Sequence, residues 1–186
     1  MTLANQISLA RLGTVPIVVG LILLYDGTSE WPRIAAATVF LISAVSDGVD
    51  GYVARRLNQQ SRLGQALDPL ADKLLVNITY VFLVVNPGLN TPVPAWIPVI
   101  ILSRDATVVL GAYLINEYYA PVHTRPDLLG KVTTWFQMGG VVAVLLQLNE
   151  RFVMGLLYAA VGITLLSFAD YFYAGLKQSR IEQSTV

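Results

Sequence analysis

The sequence predicts an all-α integral membrane protein with six transmembrane helices and with both termini in the cytoplasm. Three observations lead to this fold class: few charged residues, several long apolar stretches, and an uneven distribution of basic residues between the connections. Of the 186 residues, 55% are hydrophobic and 13% are charged, and the mean hydropathy is +0.60. Because a typical soluble domain is about 25% charged, this chain has too few charges for a polar surface.

The overall charge and the cysteine count exclude several classes of function. The formal net charge is zero, whereas a nucleic-acid partner calls for a basic surface. The chain has no cysteine, so disulfides and thiolate metal sites are excluded. The N-terminal residues lack the pattern of a cleaved signal peptide. We therefore expect no nucleic-acid partner and no processed leader.

Six apolar stretches are long enough, or nearly so, to cross a bilayer. The hydrocarbon core is about 30 Å thick and needs roughly 20 apolar residues per helix. Clusters of Pro, Gly and polar residues separate the stretches. We expect one membrane domain over residues 1–186, with a polar, frayed tail from about residue 177. The predicted spans are 7–25, 33–55, 66–86, 95–116, 131–148 and 152–175.

The distribution of Lys and Arg predicts the orientation of these spans. Arg55, Arg56, Arg62 and Lys73 lie around the second connection, Arg125 and Lys131 around the fourth, and further basic residues in the tail. Connections rich in Lys and Arg stay in the cytoplasm. Both termini are therefore expected there.

Four aspartates stand out in the second and third spans. Asp47 and Asp50 interrupt an apolar stretch, and Asp68 and Asp72 lie near the start of the next. A charged residue at the centre of a membrane helix costs about 2.5–3.5 kcal/mol on insertion scales and usually marks a function. The segment from Asp47 to Asp72 is therefore the candidate site.

The spacing of these acids predicts two converging carboxylate pairs. Separations of three and four residues place each pair on one helical face, and the short linker makes the two helices antiparallel neighbours. Four facing carboxylates repel one another unless they are protonated or bridged by cations. Hard divalent cations such as Mg²⁺ prefer oxygen ligands, and two such ions suit transfer at phosphorus. Structural ion pairs or a proton pathway are the alternative.

The residues beside the first acid pair suit a diphosphate ligand. Gly48, Gly51 and Ala54 leave little side-chain bulk, so a ligand can approach the backbone. Arg55 offers a fork of donors to phosphate oxygens. Close helix packing is an equally good explanation of the small residues, and Arg55 with Arg56 could instead anchor the topology.

The acids and their neighbours form a pattern that resembles the signature of the CDP-alcohol phosphatidyltransferase family. Eight positions match at the expected gaps, and the six predicted spans agree with the family's architecture. The matching positions are Asp47, Asp50, Gly51, Ala54, Arg55, Gly64, Asp68 and Asp72.

This resemblance implies a reaction and a set of ligands. Asp47, Asp50, Asp68 and Asp72 would hold two Mg²⁺ or Mn²⁺ ions, and Asp72 would also accept the proton of the acceptor hydroxyl as general base. The resulting alkoxide would attack the lipid-side phosphorus of CDP-diacylglycerol, and CMP would leave. The resemblance also implies a homodimer in the membrane lipid, and we expect a bacterial cytoplasmic (inner) membrane with the active site facing the cytoplasm. The CDP-lipid contacts would come from Gly51, Ala54, Arg55, Ser61 and Gly64.

Two elements further along the chain bear on the acceptor alcohol. Arg104 and Asp105 place two charges in the fourth span, where they could pair with each other or Arg104 could bind the acceptor's phosphate. The segment from Gly130 to Gln137 resembles an element of phosphatidylglycerophosphate synthases. Those synthases usually carry a second Lys where this chain has Thr133, and a further Arg where it has Ala112.

The missing cations favour an acceptor with a single phosphate charge. Glycerol 3-phosphate is a dianion that calls for several cations, whereas phosphatidylglycerol carries one charge. The segment Ser103-Arg104-Asp105 also resembles cardiolipin synthases of the eukaryotic type. Cardiolipin synthesis from phosphatidylglycerol is therefore the preferred hypothesis, with glycerol 3-phosphate as the alternative. Inositol phosphate, serine and choline-type acceptors are further alternatives. Arg104, Lys131 and Arg125 are the candidate acceptor contacts. A membrane ion carrier that uses the acids as its site is a more distant alternative.

Overall fold

The computed structural model describes residues 3–56, 62–118 and 128–183, with side chains for 11–46, 71, 73–111 and 129–173. The described residues form helices and no strand, which confirms the all-α prediction. Asn149 accepts a hydrogen bond from the backbone of Arg151 at 3.0 Å, which caps the start of the last helix. The helices are α1 (Leu3–Leu24), α2 (Trp31–Arg56), α3 (Arg62–Val85), α4 (Trp96–Tyr118), α5 (Leu128–Leu145) and α6 (Glu150–Gln183).

The observed helices lie close to the six predicted stretches, and the clearest difference is at the C-terminus. The prediction ends the last span near residue 175 and expects a frayed tail from about 177. Helix α6 instead continues to Gln183. Polar residues are compatible with a helix that extends past an apolar segment, because the backbone hydrogen bonds of a helix are internal.

Helix α1 packs against both α2 and α3, and α5 pairs with α6. Helix α3 also contacts α4 and α5, while α4 rests on α6. The core between these helices is apolar and includes the fully buried side chains of Phe40, Leu75, Ile101 and Leu157. This packing makes α3 a central helix, in contact with three others.

Three connections meet at the end of the bundle away from the acids, and we call residues 25–30, 86–95 and 146–149 the far rim. The side-chain amide of Asn86 donates to the carbonyl oxygens of Ile22 and, at 3.0 Å, Tyr25. Gln147 donates to the Tyr25 hydroxyl at 2.9 Å and accepts from Asn90 at 2.8 Å. These bonds tie the ends of α1, α3 and α5 together.

Large apolar side chains are exposed on every helix of the bundle. A monomeric soluble protein rarely exposes apolar patches larger than a few hundred Å², so this surface suits contact with lipid or another apolar partner. Among the described residues, Glu150–Tyr173 is the one helical segment that is long and apolar enough to cross a membrane. Representative exposed residues are Leu23, Ile42, Val85, Val99, Trp135 and Leu166.

Candidate functional site

The two predicted acid pairs lie on two consecutive helices. Asp47 and Asp50 belong to the C-terminal part of α2, and Asp68 and Asp72 to the first half of α3. Because the backbone is helical at all four positions, each pair lies within one turn on one face of its helix. The side chains of these acids are outside the described set.

The metal and CDP-lipid assignments remain predictions. Where side chains are described, no group of three or more His, Asp or Glu could hold a metal ion, and the side chains of the four acids lie outside that part of the chain. Gly51, Ala54 and Arg55 lie on α2, and Gly64 lies on α3. Ser61 is outside the described residues.

A pair of hydroxyl groups joins α1 to α2 one turn before the first acid. The oxygen atoms of Thr14 and Ser43 are 3.1 Å apart. The Thr14 hydroxyl already donates to the carbonyl of Arg11 at 2.7 Å, so Ser43 is the donor to Thr14. Ser43 lies four residues before Asp47, which places this link beside the acid segment of α2.

A buried polar cluster joins α3, α4 and α6, and the carboxylate of Asp105 is its centre. The Nζ atom of Lys73 donates to Oδ1 of Asp105 at 2.7 Å. Nδ2 of Asn77 donates to Oδ2 at 3.2 Å. Nη1 of Arg104 donates to Oδ1 at 2.9 Å, and its Nη2 donates to Ser167 on α6 at 2.6 Å. We call these five residues the Asp105 cluster.

Two charged residues of α4 are buried in this cluster, with 9% of Arg104 and 7% of Asp105 exposed. Two cations and one anion leave one net positive charge. A buried charge is tolerated when it is paired and hydrogen-bonded, and Asp105 supplies that pairing to Arg104 and Lys73.

The structure therefore contains the Arg104–Asp105 pair, one of the two arrangements expected from the sequence. Nε of Arg104 and Oδ1 of Asn77 are buried without a hydrogen-bond partner among the described residues. Whether Arg104 also contacts an acceptor phosphate remains a prediction.

The other acceptor candidates lie near the start of α5. Lys131 is exposed there, and Arg125 is outside the described residues. Thr133, where the resemblance leads to the expectation of a second Lys, is buried and donates to the carbonyl of Leu129 at 2.8 Å. Gln137, one turn further on, donates to Thr164 on α6 at 3.1 Å. This face of α5 is thus used for packing against α6.

Sequence reasoning missed three members of the Asp105 cluster. The sequence indicates Lys73 only as one of the basic residues around the second connection, although its position directly after Asp72 is a usable signal. Asn77 and Ser167 gave no signal, because single polar residues in apolar helices are common and their partners are 28 and 63 residues away.

Comparison with known proteins agrees with the motif. The family model described as CDP-alcohol phosphatidyltransferase matches residues 1–166. The chain is 36% identical to the CDP-diacylglycerol–glycerol-3-phosphate 3-phosphatidyltransferase of Bacillus subtilis, covering 91% of this chain and 93% of that protein. It is 33% identical to the CMP-forming cardiolipin synthase of Streptomyces coelicolor, covering 93% and 81%. It is 28% identical to the CMP-forming cardiolipin synthase of rat, covering 97% and 63%.

Proposed function

Because the chain belongs to the CDP-alcohol phosphatidyltransferase family, an enzyme family of phospholipid synthesis, we propose that it transfers the phosphatidyl group of CDP-diacylglycerol to phosphatidylglycerol. The products of this reaction are cardiolipin and CMP. The observation that carries the proposal is the arrangement of Asp47, Asp50, Asp68 and Asp72 on two consecutive helices. The choice of acceptor rests on the charge of the Asp105 cluster.

The transfer step exchanges one bond at phosphorus for another. Asp72 takes the proton from a free hydroxyl group of the acceptor. The hydroxyl oxygen forms a bond to the lipid-side phosphorus of CDP-diacylglycerol. The bond from that phosphorus to the bridging oxygen breaks, and CMP leaves with the electron pair. Asp72 is proposed as the base because it is the fourth acid of the motif.

The donor set at the site fits hard divalent cations. Four carboxylates offer oxygen ligands, which Mg²⁺ and Mn²⁺ prefer. We propose that Asp47, Asp50, Asp68 and Asp72 hold two such ions. Bound ions would steady the negative charge on the attacking and leaving oxygens.

The residues around the first acid pair are proposed to bind the CDP-lipid. Arg55 donates to the diphosphate oxygens, which favour a forked donor. Gly51 and Ala54 leave room for the diphosphate beside α2, and Gly64 leaves room for the cytidine. Ser61 adds a hydroxyl contact.

The charge of the Asp105 cluster supports phosphatidylglycerol as acceptor. Asp105 cancels one of the two cations around it, so one net positive charge remains for one phosphodiester. Thr133 is a neutral residue that is bonded within α5, and it therefore adds no cation at this position. Arg104, Lys131 and Arg125 are the proposed acceptor contacts.

Glycerol 3-phosphate is the second candidate acceptor. Lys131 is exposed at the start of α5 and could pair with a dianion together with Arg125. The 36% identity to a protein named for that acceptor also favours this alternative. The two hypotheses share the donor and the reaction and differ only in the acceptor.

We further propose six membrane spans, cytoplasmic termini and a homodimer in a bacterial cytoplasmic (inner) membrane, with the active site facing the cytoplasm. Exposed apolar side chains on all six helices support the lipid contact. Basic residues around the second and fourth connections support the orientation. The dimer is proposed from the family resemblance alone.

The test is an acceptor panel with the purified full-length protein. CDP-diacylglycerol labelled in its cytidine is supplied with Mg²⁺ and with phosphatidylglycerol, glycerol 3-phosphate, inositol phosphate or serine. We expect the fastest CMP release with phosphatidylglycerol, and cardiolipin as the product. Faster release with glycerol 3-phosphate would select the second candidate. Ion uptake into vesicles without CMP release would instead support a carrier.

A further inference from the structure

The carboxylate of Asp105 contacts α3 at two points that are one helical turn apart. Oδ1 accepts from Lys73 and Oδ2 accepts from Asn77, at 2.7 and 3.2 Å. A single contact between two helices limits their separation. Two contacts at positions four residues apart also limit rotation of the helix about its own axis. Asp105 therefore constrains both the distance and the rotation of α3.

Arg104 extends this constraint to a third helix. It donates to Asp105 at 2.9 Å and to Ser167 on α6 at 2.6 Å. Because α4 rests on α6, the carboxylate of Asp105 is itself held in place. The rotation of α3 is therefore fixed relative to α4 and α6, which do not carry the predicted metal ligands.

The contacted face of α3 lies away from its acid face. Successive residues of an α-helix are about 100° apart around the axis. The Cα positions of Asp68 and Asp72 are about 40° apart, as are those of Lys73 and Asn77. The two pairs are separated by about 140° around α3. Holding the Lys73–Asn77 face against α4 therefore directs the acid face to the other side.

Small rotations of α3 would displace the acids by chemically large distances. At a radius of about 5–6 Å from the axis, a 20° rotation moves a side-chain group by about 2 Å. Metal–ligand distances in well-formed sites vary by only about 0.2 Å, and a misplacement of 1 Å can cost about 100-fold in rate. The contacts of Asp105 with Lys73 and Asn77 restrain α3 directly after the acids.

We propose that Asp105 is a positioning residue, which holds the rotation of α3 through Lys73 and Asn77 and so sets the direction of the α3 face that carries Asp68 and Asp72. The expected effect of Asp105 on turnover rests on the proposed function, whereas its expected effect on the orientation of α3 is independent of that function.

The orientation is tested first with spin labels, since the chain has no cysteine of its own. Cysteines replace the exposed residues Val45 on α2 and Leu74 on α3, and the distance between nitroxide labels is measured by dipolar electron paramagnetic resonance. We expect Asp105→Asn to shift or broaden the distance distribution by about 2 Å, the displacement estimated for a 20° rotation. An unchanged distribution would overturn the proposal, whether or not the protein releases CMP.

Turnover is tested with Asp105→Asn, Asp105→Glu and Asn77→Leu in the full-length protein. We expect Asp105→Asn to lower kcat by about 10–100-fold and to raise the Mg²⁺ concentration for half-maximal rate. Asp105→Glu should recover part of the rate because it keeps the charge. Asn77→Leu removes one neutral contact and should give a smaller loss in the same direction.

The matched control is Thr79→Val, a buried change on α3 that removes a hydrogen bond within the helix. It should leave the label distance, kcat and the Mg²⁺ response unchanged. If Asp105→Asn does not fold, Asn77→Leu carries the test alone. A lower thermal stability with unchanged kcat and Mg²⁺ response would mean a purely structural role and would overturn the proposal. A wild-type protein that releases no CMP would contradict the proposed function instead.

Discussion

The hydroxyl group of Tyr80 on α3 occupies the space that a β-carbon at Gly140 on α5 would need. This hydroxyl donates to the carbonyl of Gln137 at 2.8 Å, and Tyr80 is fully buried. A β-carbon at Gly140 would also lie 3.1 Å from Cδ2 of Leu157. The absence of a side chain at Gly140 therefore lets α3, α5 and α6 pack closely.

Gly140→Ala is expected to destabilise the protein. Overfilling a packed core costs about 1–3 kcal/mol, and Tyr80 cannot move without losing its bond to Gln137. Gly139→Ala is the matched control, because its β-carbon would meet Leu156 at an ordinary 3.7 Å. Thermal unfolding of the two variants in the same detergent measures the difference. Equal melting temperatures would contradict the packing argument.

Asn86→Ala is expected to loosen the far rim without affecting the chemistry. The change removes the bonds from Asn86 to Ile22 and Tyr25, together with the bond that Asn86 accepts from the backbone of Gly88 at 2.7 Å. Leaving buried carbonyl groups unsatisfied costs about 1–3 kcal/mol. The melting temperature should fall, while kcat of the folded fraction stays at the wild-type value.

The control for this variant is Asn90→Ala on the same connection. Asn90 makes one exposed bond to Gln147, and its loss should change stability by about 0.5 kcal/mol or less. A similar loss of stability in both variants would show that Asn86 has no special part in joining α1 to α3.

Asp72→Asn is expected to stop transfer while the protein still binds the CDP-lipid. Asparagine keeps the size of the side chain but cannot accept the proton of the acceptor hydroxyl. General-base catalysis contributes about 100–10,000-fold, so CMP release should fall by at least that lower factor. Asp170→Asn, an exposed change on α6, is the control and should behave as wild type. Substantial CMP release by Asp72→Asn would remove this residue from the role of base.

Lys131→Gln is expected to weaken acceptor binding. Loss of one charge-assisted contact costs about 1.5–3 kcal/mol, which corresponds to a rise in the KM of the acceptor of about tenfold or more. The KM of CDP-diacylglycerol should not change. The control is Arg151→Gln, which also replaces a basic residue by glutamine. Arg151 lies at the exposed start of α6, at the other end of the bundle. If the two variants show the same acceptor KM, Lys131 does not contact the acceptor.

Much of the fold was predictable because each helix is a long apolar stretch between connections that contain Pro, Gly or polar residues. Six apolar stretches gave six helices with ends correct to within a few residues, apart from the extension of α6 to Gln183. The acid pattern was also predictable, since Asp47, Asp50, Asp68 and Asp72 are conspicuous in apolar surroundings. Contacts such as Tyr80–Gln137 were not predictable, because neither residue is unusual in its own helix.

The sequence by itself determined the helical class, the family and the reaction class, because composition and the spacing of the aspartates are local properties that need no partner. Only the tertiary structure decided what Arg104 and Asp105 do. Asp105 pairs with Lys73, 32 residues earlier, and Arg104 reaches Ser167, 63 residues later. Such pairings depend on which helices pack together and on their rotation. These are set by the sum of many weak apolar contacts, and no single motif encodes them.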